Sequence, residues 1–142
     1  MIVIDVNLLL YAYTPNSLSH KKAVAWLETT LSQDEAIGLP WQVISAFIRI
    51  VTNRKIPGFS RPIEEAISTV EEWLKLPNLR VLAPGDGHWS IFRRMVVEGQ
   101  ASGDLVSDAQ IAALTIEYGG VLYTADRDFA RFPGLRWVNP LT

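Results

Sequence analysis

The sequence contains no cysteine and only two histidines, His20 and His88, which lie far apart along the chain. Disulfide bonds, thiol catalysis and thiolate zinc sites are therefore excluded, and a histidine-rich metal site is disfavoured. No stretch approaches the roughly 20 apolar residues of a membrane span. The opening MIVID also lacks the basic start and long apolar segment of a signal peptide. These absences predict a soluble, cytoplasmic protein with no membrane partner.

The charge is nearly balanced, with 13 basic and 15 acidic residues and a formal net charge of -2. No global positive field attracts nucleic acid, so such a partner would need a local basic patch. About half of the 142 residues are hydrophobic, which is enough to bury a substantial core. We therefore expect a single domain over residues 1–142.

Short apolar runs alternate with amphipathic segments along the chain. The runs that predict strands are IVID (2–5), LRVLAP (79–84), VLYT (121–124) and LRWV (135–138). The segments that predict helices are HKKAVAWLETTL, QVISAFIRIVTN, IEEAISTVEEWLKL, HWSIFRRMVVEG and DAQIAALTIEYGG. Strands alternating with helices indicate an α/β domain with a mainly parallel sheet.

Three details of these helices are specific enough to check. In IEEAISTVEEWLKL, helical spacing predicts a buried face made of Ile63, Ile67, Val70 and Leu74. The polar stretch QASGDLVS predicts a loop, so the following helix should begin at Asp108. That helix is expected to stop at Gly119, because glycine tolerates the backbone conformation that ends helices.

The stretch VLYTADRDF ends an apolar strand in two carboxylates, Asp126 and Asp128. Such a pair can form a turn, because Asp bonds readily to nearby backbone amides. It can also belong to a divalent cation site, because Mg²⁺ prefers oxygen ligands and binds few protein carboxylates. The pair alone does not decide between these explanations.

Two further acids are expected at the same place. Asp5 closes the first strand and Asp108 begins a helix, and in open α/β sheets sites form beyond the carboxyl ends of the strands. Gathered acids repel one another, which raises their pKa values unless a cation or hydrogen bonds compensate. Mg²⁺ or Mn²⁺ would supply that compensation. Each acid also has a purely structural explanation as a strand end, helix cap or turn, and only the shared edge favours the metal site.

The segments MIVIDVNLLLYA and GDLVSDAQIAALTIEYGGVLYTADRDFARFPGLRWVNP together resemble the PIN domain, specifically the VapC-type toxin ribonucleases of bacterial toxin-antitoxin pairs. The resemblance covers nearly the whole chain, and its C-terminal part is the most specific. It implies a three-layer α/β/α fold and an endoribonuclease that uses Mg²⁺ or Mn²⁺ to hydrolyse RNA phosphodiester bonds. It also implies a homodimer and a small VapB-like antitoxin whose tail enters the active-site groove.

The resemblance also implies roles for individual residues. The catalytic and metal-binding acids would be Asp5, Asp108 and Asp126. Asp128 matches an acidic neighbour that binds the metal through water or holds the turn. Asn7 and Thr124 match small polar positions expected to bond the carboxylates or a water, and a local backbone cap is an equally open explanation.

The chain departs from the family pattern at Ala46. PIN domains commonly carry a glutamate at this point of the second matching helix, where this chain reads VISAF. Natural divergence, a misplaced alignment and an inactivating change all account for it, and we favour natural divergence. Mg²⁺ needs only one or two carboxylates, so activity does not require the missing acid. Asp104 is the nearest substitute, although we expect it to be a solvated loop acid.

The sequence indicates RNA and protein partners less clearly than it indicates the acidic site. Arg49, Arg54, Lys55 and Arg61 form the best basic cluster for RNA phosphates, although a solvated surface explains each one separately. Single-stranded or looped RNA is favoured over a duplex, because proteins read sequence from exposed RNA bases. A groove between QVISAFIRIVTN and IEEAISTVEEWLKL is a candidate site for an antitoxin helix.

Two other functions compete with the nuclease. Ala46 and the five tryptophans suggest a catalytically weak PIN-like module that binds RNA or an antitoxin without efficient cleavage. A phosphate-handling enzyme acting on small molecules is less favoured, because no glycine-rich phosphate loop follows the first strand.

Overall fold

A computed structural model describes residues 1–142 and contains one five-stranded sheet in the order β3-β2-β1-β4-β5. Its strands are β1 Ile2–Ile4, β2 Ile37–Pro40, β3 Leu79–Leu82, β4 Val121–Tyr123 and β5 Trp137–Val138. Every neighbouring pair is parallel, so the predicted parallel sheet is confirmed. The first strand lies in the centre, because β1 pairs with β2 on one side and with β4 on the other.

Six helices flank this sheet and give the three-layer α/β/α architecture that the sequence predicts. They are α1 Val6–Ala12, α2 His20–Leu31, α3 Trp41–Val51, α4 Ile63–Leu74, α5 His88–Glu98 and α6 Leu105–Glu117. A 3₁₀ turn, Arg127–Arg131, follows β4. None of the helices could cross a membrane, and the longest has 13 residues.

The core lies on both faces of the sheet. All residues of β1 and β2 are buried, as continuous apolar runs in a parallel sheet predict. A cluster of 28 buried hydrophobic residues includes side chains from every helix. Beside α3, Phe47 packs against Trp73 with ring centroids 4.8 Å apart, and Tyr13 meets Phe47 edge to face at 5.4 Å.

The predicted buried face of α4 is wrong at three of its four residues, and only Val70 is buried as expected. The residues that α4 buries are Ala66, Val70 and Trp73, whereas Ile63, Ile67 and Leu74 are 49%, 39% and 42% exposed. The helix is turned about its axis so that its largest side chain, Trp73, enters the aromatic group formed with Phe47 and Tyr13. The aromatic contacts of Trp73 with Tyr13 and Phe47 favour this orientation of the helix.

The predicted start of α6 is also wrong, by one turn of helix. The helix begins at Leu105, so Asp108 lies within its first turn. Gly103, with φ +58°, supplies the sharp turn from which the Val106 N–H donates back to the Gly103 carbonyl. The stop at Gly119 is confirmed, because this glycine has φ +66° directly after the helix.

Candidate active site

Asp5 lies at the carboxyl end of the central strand and is only 5% exposed. Both of its carboxylate oxygens are held. The Val6 N–H donates to Oδ1 at 2.8 Å, and the Thr124 hydroxyl donates to Oδ2 at 2.8 Å. Burial raises the pKa of Asp5, the two hydrogen bonds oppose this rise, and the negative charge of Asp126 adds to it.

Thr124 connects the ends of β1 and β4. Besides donating to Asp5, its Oγ1 accepts the Asp126 N–H at 3.0 Å and the Asn7 side-chain amide at 3.2 Å. This hydroxyl therefore donates one hydrogen bond and accepts two, which is its full hydrogen-bonding capacity. Asn7 contacts no carboxylate, and its Oδ1 instead accepts the Ala125 N–H at 3.3 Å. The two small polar residues therefore join the strand end to the turn after it.

Asp126 makes the turn that its sequence context allows. Its Oδ1 accepts the Asp128 N–H at 2.8 Å and begins the 3₁₀ turn Arg127–Arg131. Phe129 anchors this turn, because its side chain is fully buried in the core. Asp128 itself is exposed.

The half-buried Asp108 faces the other acids. Its pKa is raised to about 6, first by burial and then by the negative charges of Asp5, Asp126 and Asp128. The structure thus brings together, close enough to repel, the four acids that the sequence analysis singled out. Arg131 opposes the rise with its positive charge.

Arg131 was missed by the sequence analysis. Its Nη1 donates to the Gly99 carbonyl at 3.0 Å, which ties the turn carrying Asp126 to the segment that leads into α6. The only signal in the sequence was an arginine at the end of the acidic turn. Nothing in the pattern revealed its distant backbone partner.

A cleft of about 400 Å³ opens beside Asp5 and Asp108. Ala46 lines it from α3, so the position that matches the usual PIN-domain glutamate does face this cleft. Asp104, at the start of α6, is exposed as expected and also lines the cleft. Because alanine is short, the cleft is wider here than a glutamate would leave it.

The four candidate RNA-binding residues occupy different places. Arg49 is exposed and lines the acidic cleft. Arg54 and Lys55 are exposed in the loop after α3, where Arg54 lines a separate cavity. Arg61 is already engaged, because it pairs with Glu65 and donates to the Tyr13 carbonyl at 2.8 Å.

The ligands that this acidic group offers to a divalent ion are carboxylate oxygens. No three Asp, Glu or His side chains are arranged as a ready-made metal site. The group nevertheless fits a hard cation such as Mg²⁺, which takes one or two carboxylates and keeps several waters. The mutual repulsion that raises the pKa of Asp108 is also what a bound cation would relieve.

The parallel sheet and the acids at its carboxyl edge define the class of protein. The model of the PIN domain family matches residues 2–135, and the chain belongs to this family. The chain is 37% identical over 141 residues to ribonuclease VapC33 of Mycobacterium tuberculosis, with 99% of both chains covered. It is 38% identical over 143 residues to ribonuclease VapC43 of the same organism, covering 99% of this chain and 96% of the relative.

Solved structures share the fold. VapBC2 from Rickettsia felis, bound to a DNA fragment from its promoter, matches with a TM-score of 0.72 and 19% identity over 98% of both chains. VapC20 of Mycobacterium tuberculosis, a sarcin-ricin loop cleaving toxin, matches with a TM-score of 0.67 and 18% identity. That match covers 96% of this chain and 99% of VapC20.

Proposed function

We propose that the protein is the toxin of a type II toxin-antitoxin system and that it hydrolyses RNA phosphodiester bonds with Mg²⁺ or Mn²⁺. The observation that carries this proposal is the group of Asp5, Asp108 and Asp126 at the carboxyl edge of the sheet. It is supported by similarity over nearly the full length to proteins named as ribonucleases.

In this proposal Asp5, Asp108 and Asp126 would hold the cation, and Asp128 would bind it through water. When bound, the ion lowers the pKa of a coordinated water and neutralises charge that develops on the phosphate. Thr124 keeps Asp5 oriented through the hydrogen bond to Oδ2. Asn7 supports Thr124 from the other side.

The RNA would enter over the exposed arginine at the cleft. Arg49 lies beside the acids and is the residue best placed to contact a phosphate next to the cut bond. Arg54 and Lys55, in the loop after α3, would extend this basic surface. Single-stranded or looped RNA suits the cleft, because its bases are exposed.

The first experiment is cleavage of a mixed pool of structured RNAs by antitoxin-free protein in Mg²⁺, Mn²⁺ or excess EDTA. Cutting should require the metal and should disappear in Asp5→Asn and Asp108→Asn. Asp34→Asn, an exposed acid before β2, is the matched control and should cut like the unchanged protein. Undiminished cleavage by both site variants would rule out the proposed catalytic group.

One observation favours a second function, a catalytically weak PIN-like module that binds RNA or an antitoxin. Ala46 leaves the cleft without an acid from α3. Calorimetry with Mn²⁺ separates the two functions, because a nuclease must bind the ion. Ala46→Glu should tighten that binding by adding one anionic ligand. If Mn²⁺ binds neither protein, the weak module is the better description.

Two exposed apolar surfaces suit the proposed protein partners. On α4, Ile63, Ile67 and Leu74 form a stripe that an amphipathic antitoxin helix would cover. On α5, Trp89 and Val97 are 67% and 58% exposed beside an apolar groove, and this face would join a second copy in a homodimer. Two solved structures with this fold are named for both VapB and VapC. They are VapBC2 from Rickettsia felis and VapBC-1 from nontypeable Haemophilus influenzae.

We also propose that residues 1–142 act as one cytoplasmic domain. A single hydrophobic cluster draws side chains from all six helices, which supports folding as one unit.

A further inference from the structure

The cleft beside the acids has walls that a hydrated cation does not need. Its volume of about 400 Å³ corresponds to roughly a dozen waters and falls within the range of small-molecule pockets. Apolar side chains line part of it, namely the partly exposed Ile50 and Ala46 and the buried Val43 and Ile111 beside them. Cation binding gains nothing from such walls. A flat organic group gains from them, because it covers apolar surface that is otherwise exposed to water.

The absence of a longer side chain at position 46 keeps this space open. Ala46 lines the cleft between the acids and the apolar wall, and its side chain is a single methyl group. A larger residue on this turn of α3 would project into the same volume. Alanine in place of the glutamate that PIN domains commonly carry therefore removes one acid from the group and also leaves room for a ligand.

The polar groups of the cleft point to the kind of ligand. Gln42 Nε2 donates to the Ser107 carbonyl at 3.0 Å and to the Ser107 hydroxyl at 3.1 Å, which fixes the amide across the cleft. No donor in the chain bonds Gln42 Oε1. Asp104 makes no capping hydrogen bond at the start of α6, so its carboxylate is also uncommitted. Gln42 and Asp104, each with an uncommitted acceptor, both line this cleft.

We propose that this cleft binds a guanine base of the RNA beside the bond that is cut, an inference that rests on the proposed function. Guanine carries two adjacent donors, N1–H and the N2 amino group, which match the two oxygens of the Asp104 carboxylate. Adenine and cytosine each place a ring acceptor beside their amino group, and uracil places acceptors on both sides of its N–H. Each of these acceptors would repel a carboxylate.

The remaining contacts follow from the same placement. The base lies against the partly exposed Ala46 and Ile50, and Gln42 Oε1 accepts from the N2 amino group. Arg49, at the rim of the cleft, pairs with the phosphate that follows the base. Asp5 and Asp108 then lie next to the phosphodiester bond that is cut.

The binding experiment uses the full chain in EDTA, so that no RNA is cut. The probes are fluorescein-labelled heptauridines whose central base is guanine, hypoxanthine or adenine, and binding is measured by anisotropy. A carboxylate paired with two donors discriminates between bases by about fivefold or more in affinity. Guanine should bind best, and hypoxanthine, which lacks the N2 amino group, should bind more weakly.

Two variants test the cleft itself. Asp104→Asn and Ala46→Leu should each remove most of the preference for guanine over adenine. Asp34→Asn and Ala25→Leu change an exposed acid and an exposed alanine elsewhere, and both should keep it. Asp104 is exposed, so its variant remains informative even where Ala46→Leu folds poorly. Equal affinity for guanine and adenine, or a preference that survives Asp104→Asn, overturns the inference.

Cleavage in Mn²⁺ separates this inference from the proposed function. RNA cleavage without a preference for guanine would contradict the guanine site and would still support the proposed nuclease activity. Guanine-selective binding by a protein that cuts no RNA supports the site and rejects the nuclease.

Discussion

Thr124 is the single side chain on which most of the candidate site depends. Its hydroxyl bonds Asp5, Asn7 and the Asp126 N–H, and the residue is fully buried. Thr124→Val keeps the shape but removes the hydrogen bonds that Asp5 Oδ2, the Asn7 amide and the Asp126 N–H make with this hydroxyl. We expect a loss of about 1–3 kcal/mol in the free energy of unfolding, measured with urea. Thr124→Ser keeps the hydroxyl and should lose clearly less; equal losses would show that the hydroxyl contributes little.

Asp108 makes the stability of the metal-free protein depend on pH. Its folded pKa of about 6 lies above the usual 3.8, so the folded state holds a proton that the unfolded state has released. Stability from this group is therefore present below about pH 4 and is lost as the pH rises through 6. Asp108→Asn should be stabilised relative to the unchanged protein at pH 7.5, and the difference should shrink toward pH 4. Melting temperatures in EDTA measure it, and a difference independent of pH would contradict the raised pKa.

At this scale the sequence identified the acids and the Thr124 hydroxyl that bonds Asp5, but neither Arg131 nor the Gln42–Ser107 contact. Asp5 and Asp126 follow strands and Asp108 lies in the first turn of a helix, and sheet topology alone predicts that they share an edge. The Gln42–Ser107 contact joins α3 to α6 across 65 positions. Its geometry depends on how two helices pack, which residue spacing does not encode.

At the scale of elements, α4 shows where helical periodicity misleads. The predicted stripe of side chains and the stripe that is actually buried share Val70, and residue spacing alone does not distinguish between them. The choice is made by Phe47 and Tyr13, which lie in other elements and receive Trp73. Four of the five strands were predicted, because a buried parallel strand is a short apolar run with no competing face, whereas β2 Ile37–Pro40 was missed.

The buried face of α4 can be tested by comparing two neighbouring residues. Trp73 is 3% exposed and Leu74 is 42% exposed. Trp73→Ala should cost about 3–5 kcal/mol in the free energy of unfolding, because it leaves a large cavity. Leu74→Ala should cost less than about 1 kcal/mol, as is usual for exposed positions. Chemical denaturation measures both losses of stability. A larger loss for Leu74→Ala than for Trp73→Ala would show that the predicted face is the buried one.

At the scale of the whole molecule, the exposed apolar face of α5 predicts self-association. Trp89 and Val97 border a groove that also contains Phe92 and Val96. Val97→Glu places a charge in this face and should convert a dimer to a monomer in size-exclusion chromatography with light scattering. Lys21→Glu, on the exposed side of α2, is the charge-changing control. A protein that is already monomeric, or a variant that stays dimeric, would exclude this face as the dimer interface.

The order of the strands has a consequence for synthesis on the ribosome. The central strand β1 is made before the other four strands, yet its Ile4 pairs with Tyr123 of β4. Asp5 therefore receives its hydrogen bond from Thr124 only after 119 further positions of the chain have been made. Contacts of such long range form late and slowly. A chain that stops before Thr124 thus lacks the assembled acidic edge, because the residue that holds Asp5 and joins it to the Asp126 turn has not been made.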